Sequence, residues 1–138
     1  MLLDRILDAA ALLAAVPAAA AGPERPAEPS MSGPIVVHNA YYPKPGLEEE
    51  VYQLRLRASE VRAQLGLVEG RVLRRRQGPE GGAEVIWEAE YPDSAARALD
   101  LERLATSLAF DSIQTRMGTL LARFERSTWG VAPSARRP

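Results

Sequence analysis

Cysteine is absent from this chain of 138 residues, which excludes disulfides, thiolate nucleophiles and cysteine-ligated metals. The absence leaves the compartment open, because cytoplasmic and exported proteins can both lack it. Histidine occurs once, at His38, so a zinc site built from imidazoles has too few ligands. Neither sign of charge dominates: 17 basic and 18 acidic residues leave a formal charge of -1. No overall field therefore draws the chain to nucleic acid or to an anionic membrane. No apolar run is long enough to span a bilayer. A phosphate loop, a serine elbow and a metal signature are also missing, so nucleotide hydrolysis and metal chemistry have no support in the sequence. What is present is a composition 46% hydrophobic and 25% charged, enough for one compact domain and hardly for two.

The first thirty residues, "MLLDRILDAAALLAAVPAAAAGPERPAEPS", pass from an Ala/Leu-rich run into a Pro-rich polar stretch. The expected organisation is a flexible head and linker over 1–31, a domain over 32–131 and a mobile basic tail over 132–138. As a secretory signal, the head would place Leu12 to Val16 in the apolar region and Ala18 to Ala21 before the cleavage point. Asp4 and Asp8 offset Arg5 and argue against that reading. Met31 opens "MSGPIVV", which resembles the start of a cytoplasmic protein, with the head as an upstream extension; a short interaction helix is the third reading. The expected location is cytoplasmic, or exported if residues 1–21 act as a signal. None of these readings gives the head a part in the core.

From Ile35 the pattern is regular. "IVVHNAYY" is rich in β-branched and aromatic residues and stops at "PKPG", where Pro43 and Pro45 lack ladder donors; it reads as a first strand. Leu47, Val51, Leu54, Ala58, Val61 and Leu65 recur at alternating spacings of four and three, an apolar helical stripe, with Arg55 and Arg62 assigned to the outer side. Glu48 to Glu50 suit the helix N-terminus and Gly66 its C-terminal end. Two strands follow, about Val68 to Arg76 and Glu84 to Tyr91, around a Gly/Pro-rich turn. Asp93 and Ser107 are N-caps for the two pieces of a broken second helix, and an alternating strand from about Arg123 to Val131 closes the domain.

This β-α-β-β-α-β order predicts an α+β, ferredoxin-like fold: a four-stranded antiparallel sheet with the helices on one face. In "WEAEYPD" and the two residues before it, Val85, Trp87, Ala89 and Tyr91 share an apolar side that belongs under the helices. Ile86, Glu88 and Glu90 point to the other face. The first strand is apolar or aromatic on both sides, so that second face should also be covered.

The segments "YYPKPGLEEEVYQL", "VIWEAEYPDSAA" and "FDSIQTRMGTLLARFER" resemble the dimeric α/β-barrel superfamily over about Ile35 to Val131. That superfamily includes the antibiotic-biosynthesis-monooxygenase-like, NIPSNAP-like and stress-responsive barrel proteins. The resemblance implies that two such sheets face each other and close a barrel, with a small-molecule cavity in each subunit. Asn39, seven residues before Gly46, is similarly placed to a cavity asparagine of the monooxygenase and haem-degrading members. Glu88 resembles the acid that precedes the strand-to-helix turn. The usual tryptophan before the second helix is replaced by Glu90 or Tyr91, and no histidine lies between Asp93 and Leu121, which speaks against haem.

Six residues carry the chemical expectations. His38 is the candidate general base and Glu88 the carboxylate that would orient it across adjacent strands, provided their parity matches. With the opposite parity, Asn39 and Tyr41 would join Glu88 as ligand contacts and His38 would lie in the core. One of Arg74 or Arg75 is a candidate for binding a carboxylate or enolate, with cross-strand pairing to glutamate as the plainer reading; Glu90 completes a carboxylate pair with Glu88, for which ion pairing with arginine is the plainer fate. Trp87 and Trp129 read as core or interface aromatics. "RVLRRR" alternates faces and makes no basic surface. The expected protein is a homodimer through the sheet face, binding a small hydrophobic or aromatic ligand. Its chemistry would be cofactor-independent monooxygenation or acid-base catalysis, needing neither metal nor haem; the alternative is a non-catalytic dimer module. No nucleic-acid partner and no membrane span are expected.

Overall fold

The computed structural model describes residues 33–133, and the expectations for the head before Met31 and for the tail beyond Pro133 concern residues outside that span. β1 (Ile35–Pro43) leads into α1 (Glu48–Gln64), whose first turn carries the three glutamates that suit the positive helix end. The chain leaves α1 through Gly66, at φ +68°, a conformation that costs glycine little. β2 (Arg71–Arg74) and β3 (Val85–Tyr91) follow, then α2 (Ser94–Leu104), α3 (Leu108–Leu120) and β4 (Leu121–Gly130). Both expected caps are present: the Asp93 carboxylate accepts from the Ala96 N–H at 2.7 Å and the Ser107 hydroxyl from the Phe110 N–H at 3.2 Å. Because the second cap interrupts the helical ladder, α2 and α3 are separate elements.

The sheet is antiparallel throughout, in the order β2-β3-β1-β4. This is the predicted ferredoxin-like arrangement, with the first strand central beside the third. β2 is shorter than expected, four residues in place of nine: it starts only after Gly70, which turns the chain at φ +69°, and ends before the Gly/Pro-rich turn. Among the described residues, no helix is long and apolar enough to cross a membrane.

The core lies between the sheet and the helices. Ile35, Val37, Val85, Trp87, Ala89 and Tyr91 meet Val51 of α1 and Met117 and Leu120 of α3. A second cluster, Ala58, Val61, Leu104, Phe110 and Ile113, fastens the helices to one another. Alternation along β3 matches the expected faces: Val85, Trp87, Ala89 and Tyr91 are buried, while Ile86 and Glu88 are half-buried and Glu90 exposed.

α1 departs from the expected stripe. Arg55 and Arg62, assigned to the outer side, are each only 4% exposed. With Val51 and Ala58 they form the center of the buried face, at spacings of four, three and four, and Leu54, Val61 and Leu65 flank it. The two guanidiniums lie over the Trp87 ring, at 5.0 Å and 4.6 Å from its centroid. An aromatic face and a long aliphatic stem let an arginine occupy a core position that its charge alone would forbid.

Candidate functional site

The strand register decides which candidates meet. His38 stands directly opposite Glu88, and across the four strands Arg71, Glu88, His38 and Ser127 form one row on the face away from the helices. Arg71 donates to Glu88 Oε2 from both Nε and Nη2 at 2.9 Å. Glu88 Oε1 lies 3.9 Å from His38 Nε2, too far for a hydrogen bond but within reach of attraction to a protonated imidazole. Neighbouring rows on this face carry Val36 and Trp129, then Ile86 and Ala40. The indole of Trp129 donates to Ser127 Oγ at 2.9 Å while its ring stays 61% exposed. The open face is thus a mixed surface, in which the Arg71–Glu88–His38 row is flanked by Val36, Trp129, Ile86 and Ala40 and by the carboxylates Glu90 and Glu125.

Asn39 and Tyr41 lie on the opposite, helix-covered face, beside Trp87 and Val85. The parity that would have joined them to Glu88 is therefore excluded, and the six candidates do not converge. Arg74 is also on the helix side of its strand, opposite Val85; it pairs with Glu49 of α1 at 2.6 Å and covers the Tyr52 ring. The anticipated cross-strand pair with glutamate is made by Arg75, with Glu84 at 3.3 Å. Glu90 stands on the open face beside Val36, in the row next to that of Glu88.

The helix-covered interior holds the less ordinary chemistry. Arg126 of β4, opposite Asn39, donates from Nε to Asn39 Oδ1 at 2.9 Å. Among the described residues, Arg55 reaches neutral oxygens, the Tyr41 hydroxyl at 3.5 Å and the Ser59 hydroxyl at 3.3 Å. Arg62 is better held: Nη1 donates to Asp100 Oδ1 at 2.8 Å and to the Val68 carbonyl at 3.2 Å. Asp100 also accepts from the Tyr91 hydroxyl at 3.1 Å and from the Val68 N–H at 3.3 Å. Arg97 of α2 donates to the Thr128 hydroxyl at 3.4 Å. Among the described residues Asp100 is the buried carboxylate in this region, and it is already committed to Arg62.

Burial is the main cause that pushes the guanidiniums of Arg55, Arg97 and Arg126 below their usual range; Tyr41 partly offsets this for Arg55 and Arg126, and neighbouring arginines add to it. Burial likewise pushes the Tyr91 hydroxyl up to about 12, with Arg62 opposing and Asp100 reinforcing the shift. Nε of Arg55, Nε of Arg62 and Nη1 of Arg126 are buried without a hydrogen-bond partner among the described residues. Each is a desolvated cationic donor, and the Tyr41 hydroxyl lies 3.5 Å from Arg55 Nη1. No group of three or more histidine, cysteine, aspartate or glutamate residues among the described residues is arranged to hold a metal ion.

Arg55, Arg62, Asp100 and Arg126 were not among the sequence candidates. The signal for the first two was their spacing, in line with Val51 and Ala58. Asp100 and Arg126 stand out only once their partners across the fold are known.

No family model matches the sequence, and no curated protein is significantly similar to it. Solved structures do match. A NIPSNAP family protein from Agrobacterium tumefaciens superposes with a TM-score of 0.61 at 19% identity, covering 75% of this chain and 90% of that one. SnoaB from Streptomyces nogalater, described as a cofactor-independent oxygenase, gives 0.56 at 17% identity over 76% and 99%. A protein from Bacteroides fragilis, described as dimeric, ferredoxin-like and of unknown function, gives 0.55 at 10% identity over 73% and 99%. At such identities the likeness speaks for architecture, and the chain has the ferredoxin-like subunit fold found in NIPSNAP proteins and in a cofactor-independent oxygenase.

Proposed function

We propose that the protein is a small-molecule-binding homodimer of the α/β-barrel type, self-associating through the open sheet face. Its ligand, an aromatic or polyketide-like compound, would lie in the helix-covered interior of each subunit. The observation that carries the reading is the set Asn39, Tyr41 and Arg55, buried polar and cationic side chains where a purely structural core places apolar ones, with half-buried Arg126 bonded to Asn39. Self-association is supported by exposed Trp129 and Leu73 on the open face and by the dimeric description of a protein of the same fold.

The reaction classes that suit this interior are cofactor-independent oxygenation, as described for SnoaB, and acid-base enolisation. Both begin with loss of a proton from the substrate, and both leave an enolate or phenolate oxygen that a desolvated guanidinium stabilises. Asn39 and Tyr41 would meet the ligand. His38 and Glu88 would serve as the acid-base pair if the substrate instead lies between the facing sheets. A non-catalytic dimer is the second reading, favoured by the way Arg71 already occupies Glu88.

A thermal-shift and turnover screen of hydroxylated naphthalenes and anthraquinones, run on the full chain and on Asn39→Ala, tests the proposal. Stabilisation of the parent and its loss in an equally folded Asn39→Ala supports an interior site. Absence of any stabilised complex, with no oxygen consumed, would leave the structural dimer.

A further inference from the structure

We infer that the groove between α1 and α3 is a docking surface for the chain's own N-terminal segment, residues 2–14. Leu54 and Val61 of α1 and Ala109 and Ile113 of α3 give the groove its apolar lining, and Arg57 and Arg116 stand at its rims, one from each helix. Its volume of about 280 Å³ is small beside the roughly 300–1,000 Å³ of an enclosed ligand pocket. Leu108, one turn before Ser112 of the lining, is 84% exposed, so the apolar strip continues past the groove along α3. A strip of this kind between two helices, bordered by charge, suits the apolar side of an amphipathic segment.

The sequence before the described residues matches this surface. Leu3, Leu7, Ala10 and Ala14 recur at spacings of four, three and four, an apolar stripe of helical period, with Ile6 and Leu13 beside it. Asp4 and Asp8, also four apart, follow one flank of that stripe, the side on which a rim arginine would meet them. Both arginines are available for such contacts. Arg116 meets Glu50 at 3.9 Å with both side chains more than half exposed, and Arg57 has no ion pair among the described residues. The connection also reaches. Ile35 pairs with Tyr91, the Tyr91 hydroxyl meets Asp100, and Asp100 meets Arg62 in the last turn of α1, so the chain enters the sheet at the end where α1 finishes, beside Val61. Residues 15–32 can extend up to about 60 Å, against about 25 Å for the whole of α1, 17 residues long. Because the segment is tethered, its effective concentration at the groove is high and a modest contact suffices.

The test uses the full chain, which has no cysteine of its own, so an engineered pair reports a single contact. Ala10→Cys is combined with Ser112→Cys in the groove or, as the control, with Ala98→Cys, exposed on α2. The control is fair because α2 starts just after Tyr91, at the same end of the sheet as the chain entry. In a glutathione buffer the intrachain disulfide to residue 112 should be favoured about tenfold or more over that to residue 98. Asp4→Lys with Asp8→Lys should remove most of that preference, and adding Arg57→Glu with Arg116→Glu should restore it. Circular dichroism of each variant checks that the fold is intact. Equal formation at both sites would overturn the docking and leave the groove to an outside partner. A disulfide to residue 112 formed only between chains would assign the groove to a second copy's N-terminal segment, and would overturn it as well. So would a preference that survives the charge reversal, because an apolar strip alone does not select this segment.

Discussion

Arg62 of α1 and Asp100 of α2 meet at 2.8 Å with 4% and 6% of their side chains exposed. Their contact ties the two helices to the end of β3 through Tyr91 and to the segment before β2 through Val68. Removing one partner strands the other. Asp100→Asn should therefore destabilise the domain by about 3–5 kcal/mol, read as a lower urea midpoint at unchanged slope. Arg62→Met combined with Asp100→Leu should recover most of that loss. A single mutant within about 1 kcal/mol of the parent would mean that water reaches the pair.

Trp87 is pinned from two directions. Its indole donates to the Glu69 carbonyl at 2.9 Å, and the chain turns beside it at Gly70, φ +69°. A Cβ on residue 70 would come within 2.5 Å of the Glu88 carbonyl oxygen and of Trp87 Nε1. Gly70→Ala should cost more than the roughly 1–2 kcal/mol of left-handed strain alone, and Trp87→Ala about 3–5 kcal/mol. Guanidinium titrations followed by circular dichroism distinguish these outcomes from the small effects expected of a surface turn.

Tyr91 gives the fold an alkaline limit. Its hydroxyl has a pKa of about 12 in the folded protein against an ordinary 10.0, so the folded state favours the protonated form. The corresponding stability is fully present below about pH 10 and is lost as pH rises toward 12. Its magnitude is about 2–3 kcal/mol at most. Stability of the parent should fall across this interval relative to Tyr91→Phe, which lacks the titrating group. Parallel curves would contradict the assignment.

On the open face, Trp129 is mostly exposed, so its truncation should leave the subunit stable. Trp129→Ser is expected to weaken self-association about tenfold or more, as for a central aromatic in an interface, without lowering helicity. Light scattering of the parent at micromolar concentration comes first; a clean monomer would remove the barrel proposal.

Glu88→Gln separates the two places where a ligand would lie. Arg71 is 72% exposed, so loss of the pair should cost only about 0.5–1 kcal/mol. A ligand bound under the helices should still stabilise this variant. Loss of that stabilisation in a folded Glu88→Gln would relocate the ligand between the facing sheets and restore His38 and Glu88 as its acid-base partners.

The element order, the caps at Asp93 and Ser107 and the buried side of β3 were all legible in the sequence, because each depends on local chemistry or a repeat of two residues. The same holds for the core positions Val51, Ala58 and Val61, which follow helical spacing. The side of β1 that meets Glu88 depended on the register between strands far apart in sequence, and only the fold places His38 opposite Glu88. Arg55 and Arg62 illustrate the same limit from another side. Charge alone assigns an arginine to the surface, and only tertiary packing, with Trp87 beneath both guanidiniums and Asp100 beside one, makes room for it inside. Patterning thus determined which faces are apolar, whereas the distances between side chains brought from separate elements decided where the uncompensated charge of the interior lies.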